Sequence, residues 1–295
     1  MKTISFFSEK GGVGKSSFSI LYASWLRYQH GLSVGLADFN ARISSYRRQE
    51  MKEREKLIRS NPDADIRQYD EKKAWPILNC TFEEVERCRK EYSTEIPNSA
   101  WLREQIIDGP FQGMDVVICD FPGSLSGQEY IEVASSRLLS LVVIPTEKEP
   151  QTLDATITLS RMNGKMNQPY VIFLNRANLG LRNIRDKYYN LVPLLAKQNY
   201  PILPDIVVNS ERMGTIDKVD IIRSTFRYPD FSSKEFEGAR DMGIENLFID
   251  ITRILGGRPD IAGTTETDLS FVKALHKKDD GRQAKGSAFP QLEIR

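Results

Sequence analysis

The chain reads as an α/β protein, a three-layer sandwich in which a mostly parallel, twisted sheet is flanked by helices. Three observations predict this. Short β-branched runs recur without strict alternation, the pattern of strands buried on both faces. Segments of helical period separate them. A loop rich in glycine and lysine lies between the first run and the first helical segment.

The predicted strands are Thr3–Phe7, Ser33–Phe39, Asp115–Asp120, Leu139–Ile144 and Tyr170–Leu174. After the loop, Phe18, Leu21, Tyr22 and Trp25 recur at helical spacing and form one apolar stripe, so a helix packed on the sheet is expected. Residues 41–113 differ in character. Arg42–Lys73 carries ten basic and seven acidic residues, and Asn61-Pro62 breaks its helical charge pattern. Further charged helices are expected over Phe82–Tyr92 and Trp101–Ile107, making this segment a helical excursion off the sheet edge. Beyond Gly256-Gly257 the pattern collapses, and residues 258–295 read as a mobile or docking tail. The expected organisation is a single domain over residues 1–257 followed by that tail.

Of 295 residues, 40% are hydrophobic and 27% charged, the balance of a globular protein and not of a disordered one. Lys and Arg number 41 against 40 Asp and Glu, a formal charge of +1 that argues against a wholesale basic coat for nucleic acid. No apolar run approaches the roughly 20 residues of a membrane span, and MKTISFFSEK lacks the features of a secretory leader. Three cysteines without a CxxC indicate neither a disulfide framework nor a zinc site. A cytoplasmic location is expected.

Lys10-Gly11-Gly12-Val13-Gly14-Lys15-Ser16 carries the chemistry. Phosphate binding needs backbone N–H groups turned inward, and glycine allows the close approach that side chains would block. A helix beginning near Ser16 adds the positive end of its dipole. Lys15 is placed for the β- and γ-phosphates and the Ser16 hydroxyl for Mg²⁺. The strict pattern G-x-x-x-x-G-K-[ST] fails at its first glycine, where Glu9 stands, and a second lysine precedes the glycine pair.

This variant resembles the deviant Walker A loop of the ParA/MinD (SIMIBI) class of P-loop ATPases. Later segments agree in order: Asp120-Phe121-Pro122-Gly123 after the run DVVIC resembles the Walker B and switch II segment, and Asn175 after YVIFL matches the family's adenine-contacting asparagine. The resemblance covers residues 1–40 and 114 to about 255. It implies a P-loop NTPase fold, ATP and Mg²⁺ as cofactors, and a homodimer when ATP is bound. It implies that Lys10 reaches the partner's phosphates across that dimer. Gly11, Gly12, Val13, Gly14, Lys15, Ser16 and Ser17 would bind nucleotide, and Ser16 and Asp120 would serve the metal. Pro122 and Gly123 would sense the γ-phosphate.

Relatives carry D-x-D after the second strand, the second carboxylate positioning the attacking water. Here Asp38-Phe39-Asn40 puts Asn40 at that place, whereas an alignment one residue shorter lets Asp38 fill it. An amide orients water but does not accept a proton as a carboxylate does, so slow hydrolysis is expected.

The function these features imply is a ParA-like molecular switch in partition or maintenance of DNA, assisted by a stimulating partner protein. Between residues 176 and 240 eleven basic residues face eight acidic ones, including Arg176, Arg182, Arg223 and Arg227, a modest excess suited to nonspecific DNA. The alternative is a MinD-like positioning ATPase on a membrane, for which Leu269–Lys278 is a short amphipathic candidate far from the chain end.

Overall fold

The computed structural model describes residues 1–80, 109–123, 133, 138–177, 182–208, 222–231 and 243–256. The expected helices over Phe82–Tyr92 and Trp101–Ile107, and the tail, lie outside the described residues.

Seven strands form one sheet: β1 (Lys2–Phe6), β2 (Val34–Asp38), β3 (Ile77–Asn79), β4 (Val116–Asp120), β5 (Leu141–Thr146), β6 (Tyr170–Ala177) and β7 (Ile202–Val208). Their spatial order is β3-β2-β4-β1-β5-β6-β7, and every neighbouring pair is parallel. The sheet is thus wholly parallel among the described residues. Among the described residues the α-helices are α1 (Lys15–Ser24), α2 (Arg42–Ser60), α3 (Pro150–Lys165), α4 (Arg182–Lys197) and α5 (Ile244–Ile254). All five predicted strands are present, with ends that agree to within three residues.

Successive strand side chains point to opposite faces, and both faces are apolar here. On one, Ile4, Phe6, Val143, Val171 and Phe173 pack with α1 and with Leu247, Phe248 and Ile251 of α5. On the other, Val142, Ile144, Ile172 and Leu174 pack with Ile157 and Leu159 of α3 and Leu195 of α4. Burial on both faces is the reason the strands lack alternation in sequence.

One expectation is corrected. The 41–113 segment is not purely a helical excursion, because Ile77–Asn79 pairs with Leu36–Asp38 and extends the sheet beyond β2. Trp75 just before it is fully buried, and so is Phe111. Three residues give too short a run to show a period in a charged stretch, and the strand exists because β2 offers an open edge. The charged helix itself is present as α2, ending at Ser60 before Asn61-Pro62.

The stripe predicted on α1 forms the centre of the first face. Phe18 stacks on Phe6 at 5.6 Å between ring centroids and meets Phe173 edge-on at 5.0 Å. Tyr22 continues it to Trp25 and Phe248, at 6.0 and 5.1 Å. Phe18 also lies beneath the glycine loop, since its ring would be 3.3 Å from a Cβ at Gly14. Phe18→Ala should therefore lower the unfolding free energy by about 3–5 kcal/mol, read by urea denaturation; a loss below about 1 kcal/mol would mean the ring is not a core support.

Candidate functional site

Parallel pairing brings all strand carboxyl ends to one edge, where open α/β sheets bind ligands. The predicted residues gather there. The loop Lys10–Gly14 follows β1, Asp38 ends β2, Asp120 ends β4, and Asn175 lies near the end of β6. Asp38 and Asp120 are register partners on adjacent strands.

Local backbone chemistry shapes the loop. Gly14 caps α1 at φ 90° and Gly12 sits at φ 80°, conformations that residues with a Cβ rarely adopt. α1 starts at Lys15, so its unpaired N–H groups point toward the loop. Asn175 braces the loop from β6: its side-chain N–H donates to the Val13 carbonyl at 2.9 Å, while its Oδ1 accepts from the Arg176 backbone N–H.

Asp120 is completely buried. Ser16 Oγ donates to its Oδ2 at 2.8 Å and Ser19 Oγ to its Oδ1 at 3.1 Å. Burial pushes its carboxyl up to about 7, with the Asp38 charge adding to the rise and the two serine hydroxyls and Lys15 opposing it. Burial likewise lowers Lys15, against the attraction of Asp120. The Lys15 ammonium donates to the Lys10 carbonyl at 2.9 Å, folding back over the loop it belongs to. Gly123 leaves room for it, since a Cβ there would stand 2.8 Å from Lys15 Nζ.

The two lysines of the loop diverge. Lys10 Nζ donates to Glu149 Oε2 at 2.5 Å and to Thr152 Oγ1 at 2.7 Å, at the start of α3. Asp38 is also fully engaged: Oδ2 accepts from the Ser44 backbone N–H and from Ser44 Oγ, both at 2.7 Å, and Oδ1 from the Asn40 N–H at 3.2 Å. It anchors the first turn of α2 from a buried position, whereas Asn40 is partly exposed. Three contributors escaped the sequence reading: Ser19, Ser44 and Thr152. Ser19 alone left a signal, lying three residues after Ser16 on one face of α1.

The donor set suits a hard cation. A serine hydroxyl and a buried carboxylate meet 2.8 Å apart beside the glycine loop, oxygen ligands of the kind Mg²⁺ takes alongside phosphate and water. Among the described residues no cluster of three His, Cys, Asp or Glu forms a metal cage of its own. None of their helices is long and apolar enough to cross a membrane.

Two predictions follow from this geometry. An unfolded aspartate titrates near 3.9 and folded Asp120 near 7, so between these values the folded state binds more protons and stability falls as pH rises. Relative to Asp120→Asn, the wild type without ligand should lose on the order of a few kcal/mol between pH 4 and 7, measured by urea denaturation; a constant difference would show that Asp120 is not raised. Gly123→Ala should displace only the flexible end of Lys15, leaving the melting temperature within about 2 °C. Its affinity for nucleotide should drop by about tenfold in calorimetry, one hydrogen-bonded charge's worth.

By sequence the chain matches no protein-family model and no curated relative. Its structure is similar to solved ones. A plasmid partition protein from Borrelia burgdorferi is 16% identical, over 85% of this chain and 98% of that one, with a TM-score of 0.53. MinD in the MinC:MinD cell division complex of Aquifex aeolicus is 14% identical, over 90% and 100%, with a TM-score of 0.55. The Cyanothece McdA–ATP complex is 12% identical, over 90% and 99%, with a TM-score of 0.54. The chain has the P-loop α/β fold seen in ParA- and MinD-type partition and positioning ATPases.

Proposed function

We propose that this protein is an ATP-binding, nucleotide-dependent dimerising ATPase of the ParA/MinD kind, acting as a switch in the partition or maintenance of DNA. The observation that carries the reading is the contact of Ser16 with buried Asp120 at the mouth of the glycine loop. A hydroxyl and a carboxylate so placed, beside a lysine and a helix N-terminus, match what Mg²⁺ and a triphosphate require. The fold neighbours support it, one being a partition protein and another an ATP complex.

In this reading Gly11, Gly12, Val13 and Gly14 present backbone N–H groups to the phosphates, Ser17 lies near the α-phosphate, and Asn175 keeps the loop in place next to the base. Lys15 leaves the Lys10 carbonyl for phosphate oxygens. Ser16 and Asp120 would hold Mg²⁺, which when bound would offset the negative charge of the phosphates. Lys10 exchanges Glu149 and Thr152 for the phosphates of a second copy, which makes nucleotide occupancy and dimerisation one equilibrium. Asn40 orients water without accepting its proton, so hydrolysis is slow; Asp38, tied to Ser44, supports that turn. A stimulating partner protein and nonspecific DNA complete the cycle.

The test combines calorimetry with sedimentation in Mg²⁺ and ATP. The wild type should bind and dimerise, Lys15→Ala should lose binding by at least a hundredfold, and Lys10→Ala should bind yet remain monomeric. Asn40→Asp should raise steady-state turnover about tenfold or more, within the range general-base catalysis contributes. Absence of any heat with Mg-ATP would overturn the reading.

A further inference from the structure

Three of the basic residues between 176 and 240 are engaged within the chain. Arg176 pairs with Glu147 at 3.4 Å, Arg223 lies over the Tyr46 ring at 5.0 Å, and Arg227 donates to Gln68. Unengaged positive charge collects elsewhere, on α2.

At about 100° per residue, Arg48, Lys52, Lys56 and Arg59 fall within an arc of about 80° on α2. All four are exposed. Successive members of the Arg48-Lys52-Lys56 row stand one i,i+4 step, about 6 Å, apart along the axis. Arg48, Lys52 and Lys56 form no ion pair among the described residues, and Arg59 pairs only loosely with exposed Glu55, at 3.9 Å. The other acids of α2 have neutral partners: Glu53 accepts from Gln49, and half-buried Glu50 accepts from the Thr225 N–H and from its Oγ1 at 2.5 Å.

The helix is built as a rigid ruler. Its 19 residues span about 28 Å. Its first turn is fastened by Ser44 to Asp38. Its middle is fastened by Arg47, whose guanidinium lies between the Trp75 and Phe226 rings at 4.9 and 4.5 Å and donates to the Trp75 carbonyl. Beyond that, Arg54 reaches Glu71 at 3.6 Å. The anchored face uses its charges internally, and the opposite face presents them to solvent.

We propose that the Arg48-Lys52-Lys56-Arg59 face of α2 is a docking surface for the phosphate backbone of duplex DNA. A row of exposed cations, three of them without an ion pair among the described residues, complements a regular line of phosphates and needs no base contact. A lipid surface fits less well, because binding there adds an apolar face, and the large exposed hydrophobics among the described residues are Met1 and Leu194, neither on α2. The choice of DNA rests on the proposed function. The surface also connects with the nucleotide edge, since α2 hangs from Asp38, the register partner of Asp120.

The experiment measures binding of the full chain to a 30-base-pair duplex of arbitrary sequence, by fluorescence anisotropy over a salt series with and without Mg-ATP. Arg48→Gln/Lys52→Gln/Lys56→Gln is compared with Lys72→Gln/Lys165→Gln/Lys197→Gln, an equal charge change away from the row. The row variant should bind at least tenfold more weakly near 0.1 M salt, with a log–log salt slope shallower by about 0.9 for each lost phosphate contact, while the control stays within about twofold. Melting temperature and Mg-ATP calorimetry should not change in either variant. Equal losses in the two variants would overturn the surface. So would a wild type that binds Mg-ATP and dimerises but ignores the duplex, or one that binds anionic vesicles instead; both leave the switch reading standing. A wild type that takes no ATP yet binds the duplex through the row would overturn the switch and retain the surface.

Discussion

A fully buried carboxylate held by two serine hydroxyls is the constraint around which this site is arranged. Asp120 has no solvent exposure, and its two oxygens are met by the hydroxyls of Ser16 and Ser19. Hydroxyl donors reduce the cost of a buried charge but do not cancel it, and the Lys15 ammonium donates its hydrogen bond to the Lys10 carbonyl instead. Burial therefore raises the proton affinity of Asp120, and the Asp38 charge adds to the rise. A divalent cation beside the serine is the group that would remove it, and the glycine loop provides the opposite wall for the phosphates that such a cation brings.

The sheet makes this juxtaposition possible. In a wholly parallel sheet every strand delivers its last residue to one edge, so Asp38 and Asp120 end as register partners although 82 residues separate them in sequence. The same edge starts the helices that respond to it. α1 begins in the phosphate loop, α2 is fastened to Asp38 through Ser44, and α3 begins where Glu149 and Thr152 hold Lys10. Three helices thus have their first turns wired to the nucleotide edge by short polar contacts, which gives a small change there a route into large rigid elements.

Much of this was legible in the chain, for local reasons. Two-sided burial erases alternation, so the β-branched runs announced central strands. The spacing of the glycines and Lys15-Ser16 located the loop, and Asp120 at the end of such a run pointed to the same edge. Residues whose partners are remote were not legible. Glu149 and Thr152 meet Lys10 across about 140 residues, and nothing near them in sequence marks that contact. Ile77–Asn79 became a strand only because the edge of β2 was open, and Arg176, Arg223 and Arg227 read as part of a patch until their intramolecular partners were seen.

Sequence alone determined the class of fold, the phosphate loop and the residue types around it, because these follow from periodicity and from the backbone freedom of glycine, which are local properties. Tertiary structure alone decided which charges are spent and which are free. Asp38 was committed to α2, Lys10 to α3 and Arg223 to Tyr46, while Arg48, Lys52 and Lys56 were left facing solvent. Coulombic pairing and burial depend on distance in space, and that distance is set only when the helices close over the sheet.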